Sequence, residues 1–260
     1  MATNHTGWKA KTGLLPTADT SKAVRTARVA GAWYLLLTIT ALPAYLYIPG
    51  LIVPGDATAT AANIASSGTL LRLAILSTLI SAVADIPLAW LLYGLLKGVG
   101  KTSALLMVSF GIVSVPITFV NMPNLITALG LVHGSDLASV FSSTQLDALA
   151  TVSLGQYIQG TVVDSIFFGL WLLPFGFLVY RSGFIPRILG AWLVVNGCAY
   201  VATSVTSLLG LPQAASVALA AVPLEIGELA VIAWLLLKGV RVSSSPTVAR
   251  PGAHDALASE

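Results

Sequence analysis

Four carboxylates stand where a bilayer-spanning sequence ordinarily carries none: Asp85, Asp164, Glu225 and Glu228. Each lies inside a long apolar run, and a charge at that depth costs a few kcal/mol on insertion scales. Carboxylates so placed can hold a proton, a cation or a polar ligand. The competing reading is structural glue, in which each acid hydrogen-bonds a neighbouring helix at about 1 kcal/mol per bond. Glu225 and Glu228 are three residues apart and so share one helix face. Pro87 follows Asp85 by two residues and Pro223 precedes Glu225 by two. Each proline removes a helix hydrogen bond and frees a carbonyl, those of Val83 and Leu219, beside an acid.

Other polar residues are spaced to join the same interior. Gln156, Gly160 and Asp164 follow one another at helical spacing and extend a stripe along one helix. Asn196, Asn121 and Asn124 stand at depths from which they can reach it. Arg72 is about 20 Å along its own helix from Asp85, so those two cannot pair. It can snorkel outward, pair with Asp56 or Asp147, or reach toward Glu225. The expected ligand- or ion-binding set is therefore Asp85, Asp164, Glu225, Glu228, Arg72, Gln156 and Asn196.

The elements that must position these groups follow from composition. The 260-residue chain is 56% hydrophobic and 9% charged, against about 25% charged in ordinary soluble domains. It lacks the polar residues to cover a soluble surface. Several runs exceed the roughly 18 apolar residues of a spanning helix. The class is an all-α polytopic membrane protein. Its net charge of +3 is no nucleic-acid signature, because the basic residues sit at helix ends and form no patch.

Six spans are expected, at about Arg28–Ile48, Leu70–Leu96, Thr102–Val120, Leu149–Tyr180, Pro186–Leu209 and Ala215–Leu237. Residues 1–27 read as a polar arm, 28–240 as the membrane domain and 241–260 as a disordered tail. The arm precedes an apolar run too long for a cleavable signal peptide. Asp56 can cap a short surface helix in the first long loop. Leu125–Val132 is too short to be a span; it either extends span 3 or lies at the surface. His133–Asp147 reads as polar loop. Gly183 can end span 4 in a left-handed conformation, and Pro186 can open span 5.

The positive-inside rule then orients the chain. Of 13 Lys and Arg residues, all but Arg72 fall in the arm, the 2–3 and 4–5 turns, the tail, or the adjoining helix ends. Both termini are expected in the cytoplasm of a bacterial inner membrane. Trp33, Trp90, Trp171, Trp192 and Trp234 fall in the same halves of their spans, with Trp171 deep enough to be core.

The pattern Arg-x-x-Gly-Ala-Trp opens span 1 at Arg28 and span 5 at Arg187. Spans 2, 4 and 6 each carry an acid, then a tryptophan, then a basic residue: Asp85, Trp90 and Lys97; Asp164, Trp171 and Arg181; Glu228, Trp234 and Lys238. Three hairpins in parallel orientation account for this, by duplication or by convergence on belts and basic ends. Glu225 is the acid outside the repeat.

The sequence contains no zinc-protease, nucleophile-elbow or phosphate-loop motif. His5, His133 and His254 cannot form a haem site within the membrane, and Cys198 is the single cysteine. No enzyme activity, metal or cofactor is expected.

The stretch from Arg28 to Val240 resembles the bacterial membrane family known as domain of unknown function 4386. The resemblance rests on Arg28-x-x-Gly-Ala-x-Tyr-Leu, Gly-Asp56-Ala-Thr-Ala with Asn63-Ile, Arg72 and Phe167-Phe-Gly169. It also rests on Tyr180-Arg-Ser-Gly-Phe-Ile-Pro-Arg-Ile-Leu-Gly190 and the closing Glu225-Ile-Gly-Glu228. It implies a multi-span membrane protein and no particular activity. Two functions remain open: a small transporter or ion-coupled carrier working through the acids, or a non-catalytic module binding lipid or a protein partner. The partners expected are the bilayer and a small solute or ion, with no nucleic acid.

Overall fold

The computed structural model describes residues 17–134 and 136–240. The arm up to residue 16 and the tail from Arg241 lie outside the described residues. Eight α-helices follow in chain order: α1 Thr17–Leu42, α2 Ala57–Ser66, α3 Gly68–Leu96, α4 Lys101–Val132, α5 Ser143–Ser182, α6 Arg187–Leu208, α7 Ala214–Ala221 and α8 Ile226–Leu237. No strand occurs among the described residues. Six stretches are long and apolar enough to cross a membrane, the sixth running from Ala214 to Leu237 through both α7 and α8.

Several boundaries differ from the sequence expectation, each for a local reason. α1 begins at Thr17, inside the stretch expected to be a polar arm. α4 continues through Pro116 and Pro123 to Val132, so Leu125–Val132 extends span 3. α5 opens at Ser143, ahead of the expected Leu149. Ser142 accepts from the Gln145 backbone N–H while the Gln145 side chain accepts from the Ser142 backbone N–H, a complete capping box. Span 6 is not one helix. Pro223 cannot donate within a helix, and Val222–Glu225 tightens into a 3₁₀ turn between α7 and α8. Span 1 breaks similarly: Pro43 opens a π-helical turn over Pro43–Tyr47, and Pro49 starts a 3₁₀ turn to Leu51.

Other local features match the residues that specify them. Asp56 Oδ1 accepts from the Ala59 N–H at 2.9 Å and caps α2. Asn63 ties that helix down by donating to the Leu51 carbonyl at 3.1 Å. Gly183 ends α5 at φ 73°, a conformation that disfavours any side chain.

The spans pack as a closed ring in chain order: α1 on α3, α3 on α4, α4 on α5, α5 on α6, α6 on α7 and α8, and α8 back on α1. Glycines set the closest approaches. A methyl group at Gly176 would lie 2.7 Å from the Gly190 carbonyl, and one at Gly169 2.8 Å from the Gly197 carbonyl, so α5 and α6 touch backbone to backbone. Gly31, the partner of Gly190 in the repeated pattern, makes the equivalent approach of α1 to α8, against Leu235 and Leu236. Gly239 packs on Val24, which places the two ends of the described chain on one face.

The lipid is the solvent, so the polarity of each helix is inverted. On α3, Leu70, Leu73, Leu76, Ile80, Val83 and Trp90 face outward, while Thr78, Ser81 and Asp85 are buried within the ring. Two apolar clusters fill it. One, towards the chain ends, includes Leu92, Leu96, Met107, Trp171, Phe175 and Leu235. The other, at the far end, includes Ile48, Ile64, Leu71, Leu125, Leu154 and Tyr157. Trp171 belongs to the core, and Trp90 and Ile188 face out.

Candidate functional site

Between the two apolar clusters the ring encloses a cavity of about 320 Å³. Asp85 on α3, Asp164 on α5, Glu228 on α8 and Glu225 on the preceding 3₁₀ turn all line it. The even-numbered spans thus deliver one acid each to a common space, as their shared depth in the sequence anticipates. Glu225 is the added fourth. No group of three His, Cys, Asp or Glu side chains among the described residues is close enough to hold one metal ion.

The four are not equivalent. Glu228 is buried, and both its oxygens are engaged: Tyr34 Oη donates to Oε2 at 2.5 Å, and Asn196 Nδ2 donates to Oε1 at 2.7 Å. Asp164 is held the same way from α4, with Ser114 Oγ donating to Oδ1 at 2.5 Å and Thr118 Oγ1 to Oδ2 at 2.7 Å. Both acids thus hydrogen-bond across helix interfaces, Glu228 to α1 and α6 and Asp164 to α4. Asp85 is only 7% exposed, yet among the described residues it receives no hydrogen bond. Glu225 likewise has no partner and is exposed at the edge of the cavity.

A second unpaired polar group lies beside Asp85. Trp171 Nε1 is a buried donor with no acceptor. A methyl group at Gly111 would sit 3.3 Å from that nitrogen and 3.4 Å from Asp85 Oδ2, so donor and acceptor flank the gap left by the glycine. Buried donors and acceptors are ordinarily paired. Asp85 lines the cavity, and Trp171 lies in the apolar core beside it.

The break at Pro223 is built for this geometry. At the turn the Leu224 carbonyl accepts a hydrogen bond from Trp192 Nε1 at 3.0 Å. Gly227 lets the indole in, since a methyl group there would lie 2.5 Å from Trp192 Cδ1. Within Glu225-Ile-Gly-Glu228, then, the glycine admits the tryptophan that bonds the turn, Glu225 ends the turn, and Glu228 stands in the first turn of α8.

Not every residue in the expected set is brought in. Asn196 reaches the site through Glu228. Gln156 is on the outward face of α5 and does not line the cavity. Its helical spacing with Asp164 is real, but the eight steps between them carry it about 80° round the helix at about 100° per residue. Arg72 faces outward near the far end of α3 and makes no ion pair among the described residues, as a snorkelling side chain does. Asn121 lines the cavity and donates to the Tyr157 carbonyl at 2.8 Å, while Asn124 donates to Asn121 Oδ1 at 3.1 Å. Sequence reasoning passed over Tyr34, Ser114 and Thr118. Ser114 and Thr118 stand one helical turn apart astride Pro116, a spacing that marks a polar face. Tyr34 follows the Arg-x-x-Gly-Ala-Trp pattern directly.

The fold and site define a multi-pass helical membrane protein with an acid-lined cavity enclosed by six spans. The chain belongs to the family described as Domain of unknown function (DUF4386), whose sequence profile matches residues 29–239. It is also 30% identical over 161 residues to an uncharacterized protein of Archaeoglobus fulgidus, an alignment covering 62% of this chain and 80% of the relative. No solved structure matches the chain.

Proposed function

We propose that this protein is a small ion-coupled carrier of the cytoplasmic membrane, with both termini inside, that binds a cation at Asp85 and Glu225. One observation carries the reading. The cavity holds four carboxylates, two of them without donors, and no Lys, Arg or His side chain among its lining residues. A buried carboxylate with neither donors nor a counter-charge is costly. Charge neutrality therefore asks that either a proton or a cation accompany Asp85, and exchange between them is the coupling step of an ion-coupled carrier. Glu228 and Asp164, anchored by two donors each, hold the helices in register around the exchange site. Apolar packing above and below the cavity fits an occluded state, in which neither aqueous face has access.

The alternative, a module that binds lipid or a protein partner without transporting anything, calls for a packed interior. The cavity favours the carrier.

The test uses the whole chain in vesicles with a pH-sensitive dye trapped inside. On addition of sodium, potassium or a quaternary ammonium ion to one side, at least one should drive proton movement above protein-free vesicles. The combined Asp85→Asn, Asp164→Asn, Glu225→Gln and Glu228→Gln protein should not respond. Equal proton leak and uptake from the two proteins would sink the proposal.

A further inference from the structure

The cavity has a mouth, and the mouth faces lipid. Its lining residues that are also exposed mark where the wall is open, and the large ones cluster on two elements: Leu42, Tyr45 and Leu46 at the end of span 1, and Val222, Ile226 and Leu229 in span 6. These are the two ends of the ring. α8 packs on α1 towards the chain termini, joined by Tyr34 and Glu228. Beyond that bond the π-turn at Pro43 and the 3₁₀ turn at Val222–Glu225 take the two spans off their helical courses.

Depth identifies the medium. Leu42 is about 21 Å along the helix from Arg28, and Val222 about 24 Å from Lys238, at about 1.5 Å per residue. With those basic residues at one interface, both positions fall inside a hydrocarbon layer about 30 Å thick. The rim is apolar except for Glu225 and Tyr45, which are exposed there. Past the rim, Phe168 and Tyr200 present aromatic rings, and Asp85 lies unpaired behind them.

We infer that the ligand is an amphiphilic organic cation, of the quaternary or tertiary ammonium kind, that enters sideways from the bilayer between spans 1 and 6. Resting on the carrier reading above, this names the substrate class and the route. Several features converge on it. The acids supply counter-charge, and aromatic faces bind ammonium groups well once water is excluded. The volume of about 320 Å³ is at the lower end of small-molecule pockets, enough for a headgroup with part of its chain. The rest of an alkyl chain would leave through the mouth and stay in lipid. Glu225 at the rim meets the cation first, and Asp85 receives it.

The experiment compares two probes with one headgroup, tetramethylammonium and decyltrimethylammonium, added far below micelle-forming concentration. Binding to the full-length protein in lipid nanodiscs is followed by calorimetry, with empty nanodiscs subtracted. The expected result is decyltrimethylammonium binding at least tenfold tighter than tetramethylammonium, weakened tenfold or more by Glu225→Gln and by Asp85→Asn. Leu46→Trp, a change at a 74% exposed position that folding tolerates, should block the mouth and weaken binding similarly. Equal binding of both probes, unaffected by Leu46→Trp, means access from water; it overturns the lateral route and leaves the carrier standing. Decyltrimethylammonium binding unchanged by both acid substitutions is mere partitioning and overturns the inference. Failure of both ammonium probes, with a sodium or potassium response in the vesicle assay, overturns the substrate class alone. Silence in both assays overturns the two proposals together.

Discussion

Tyr34 and Glu228 close the ring. The phenol of the first span donates to the carboxylate of the last across 2.5 Å, and the other carboxylate oxygen is held by Asn196 of the neighbouring span. Replacing Tyr34 with Phe leaves one oxygen of a buried carboxylate without a donor. The expected cost is about 1–2 kcal/mol, seen as a lower unfolding temperature in mild detergent, with a similar loss for Asn196→Leu. Unchanged thermal stability in both would show that the bond does not hold spans 1 and 6 together.

Glu225→Gln should behave in the opposite way. The side chain has no hydrogen-bond partner among the described residues, so stability should stay within about 0.5 kcal/mol. Cation binding should nevertheless fall tenfold or more. A protein that fails to assemble would instead assign Glu225 to the glue.

Gly227 and Trp192 should be energetically coupled. A methyl group at Gly227 lies 2.5 Å from Trp192 Cδ1, so Gly227→Ala displaces the indole and breaks its bond to the Leu224 carbonyl. Overpacking of this kind costs about 1–3 kcal/mol. In a Trp192→Leu background the same change should cost distinctly less, a non-additivity that a double-mutant cycle reads directly. Additive costs would count against the contact.

Two glycines of α5, a turn and a half apart, should separate cleanly. A methyl group at Gly160 would collide with Asn121 Oδ1, whereas none of the neighbouring atoms comes within 4 Å at Gly155. Gly160→Ala should destabilise by about 1–3 kcal/mol, and Gly155→Ala should be neutral or stabilising by up to about 1 kcal/mol. Denaturation of the two variants side by side decides this.

Topology can be tested with introduced cysteines in a Cys198→Ser background. Gly98→Cys, in the turn on the same face as the chain ends, should react with a membrane-impermeant maleimide only after the cells are permeabilised. Ser66→Cys, at the opposite face, should react in intact cells. The reverse pattern would overturn the orientation and, with it, the leaflet from which the mouth is entered.

Much of this architecture was legible before any coordinates. Span number, the cap at Asp56, the stop at Gly183 and the common depth of Asp85, Asp164 and Glu228 all follow from local rules: apolar run length, capping chemistry and rise per residue. These rules act within a few residues, so the sequence displays them. The same rules could not decide what a proline does in an apolar run. Pro116 and Pro123 were absorbed by α4, so that Leu125–Val132 extends span 3, whereas Pro223 broke the expected single helix of span 6, because neighbouring helices decide whether a lost hydrogen bond is tolerated.

What only the tertiary structure decided is which acids are satisfied. Nothing in the sequence says which of Asp164 and Asp85 is bonded; both are mid-span aspartates followed by Trp and a basic residue. The difference is that Ser114 and Thr118 of α4 face Asp164, while Gly111 of the same helix faces Asp85 and leaves it, with Trp171 Nε1, unpaired. Partners across a helix interface come from positions dozens of residues away, and rotation of one helix against another selects them. Composition and spacing therefore determined that carboxylates lie buried in the membrane. Packing determined which of them are bonded and which have no hydrogen-bond partner among the described residues.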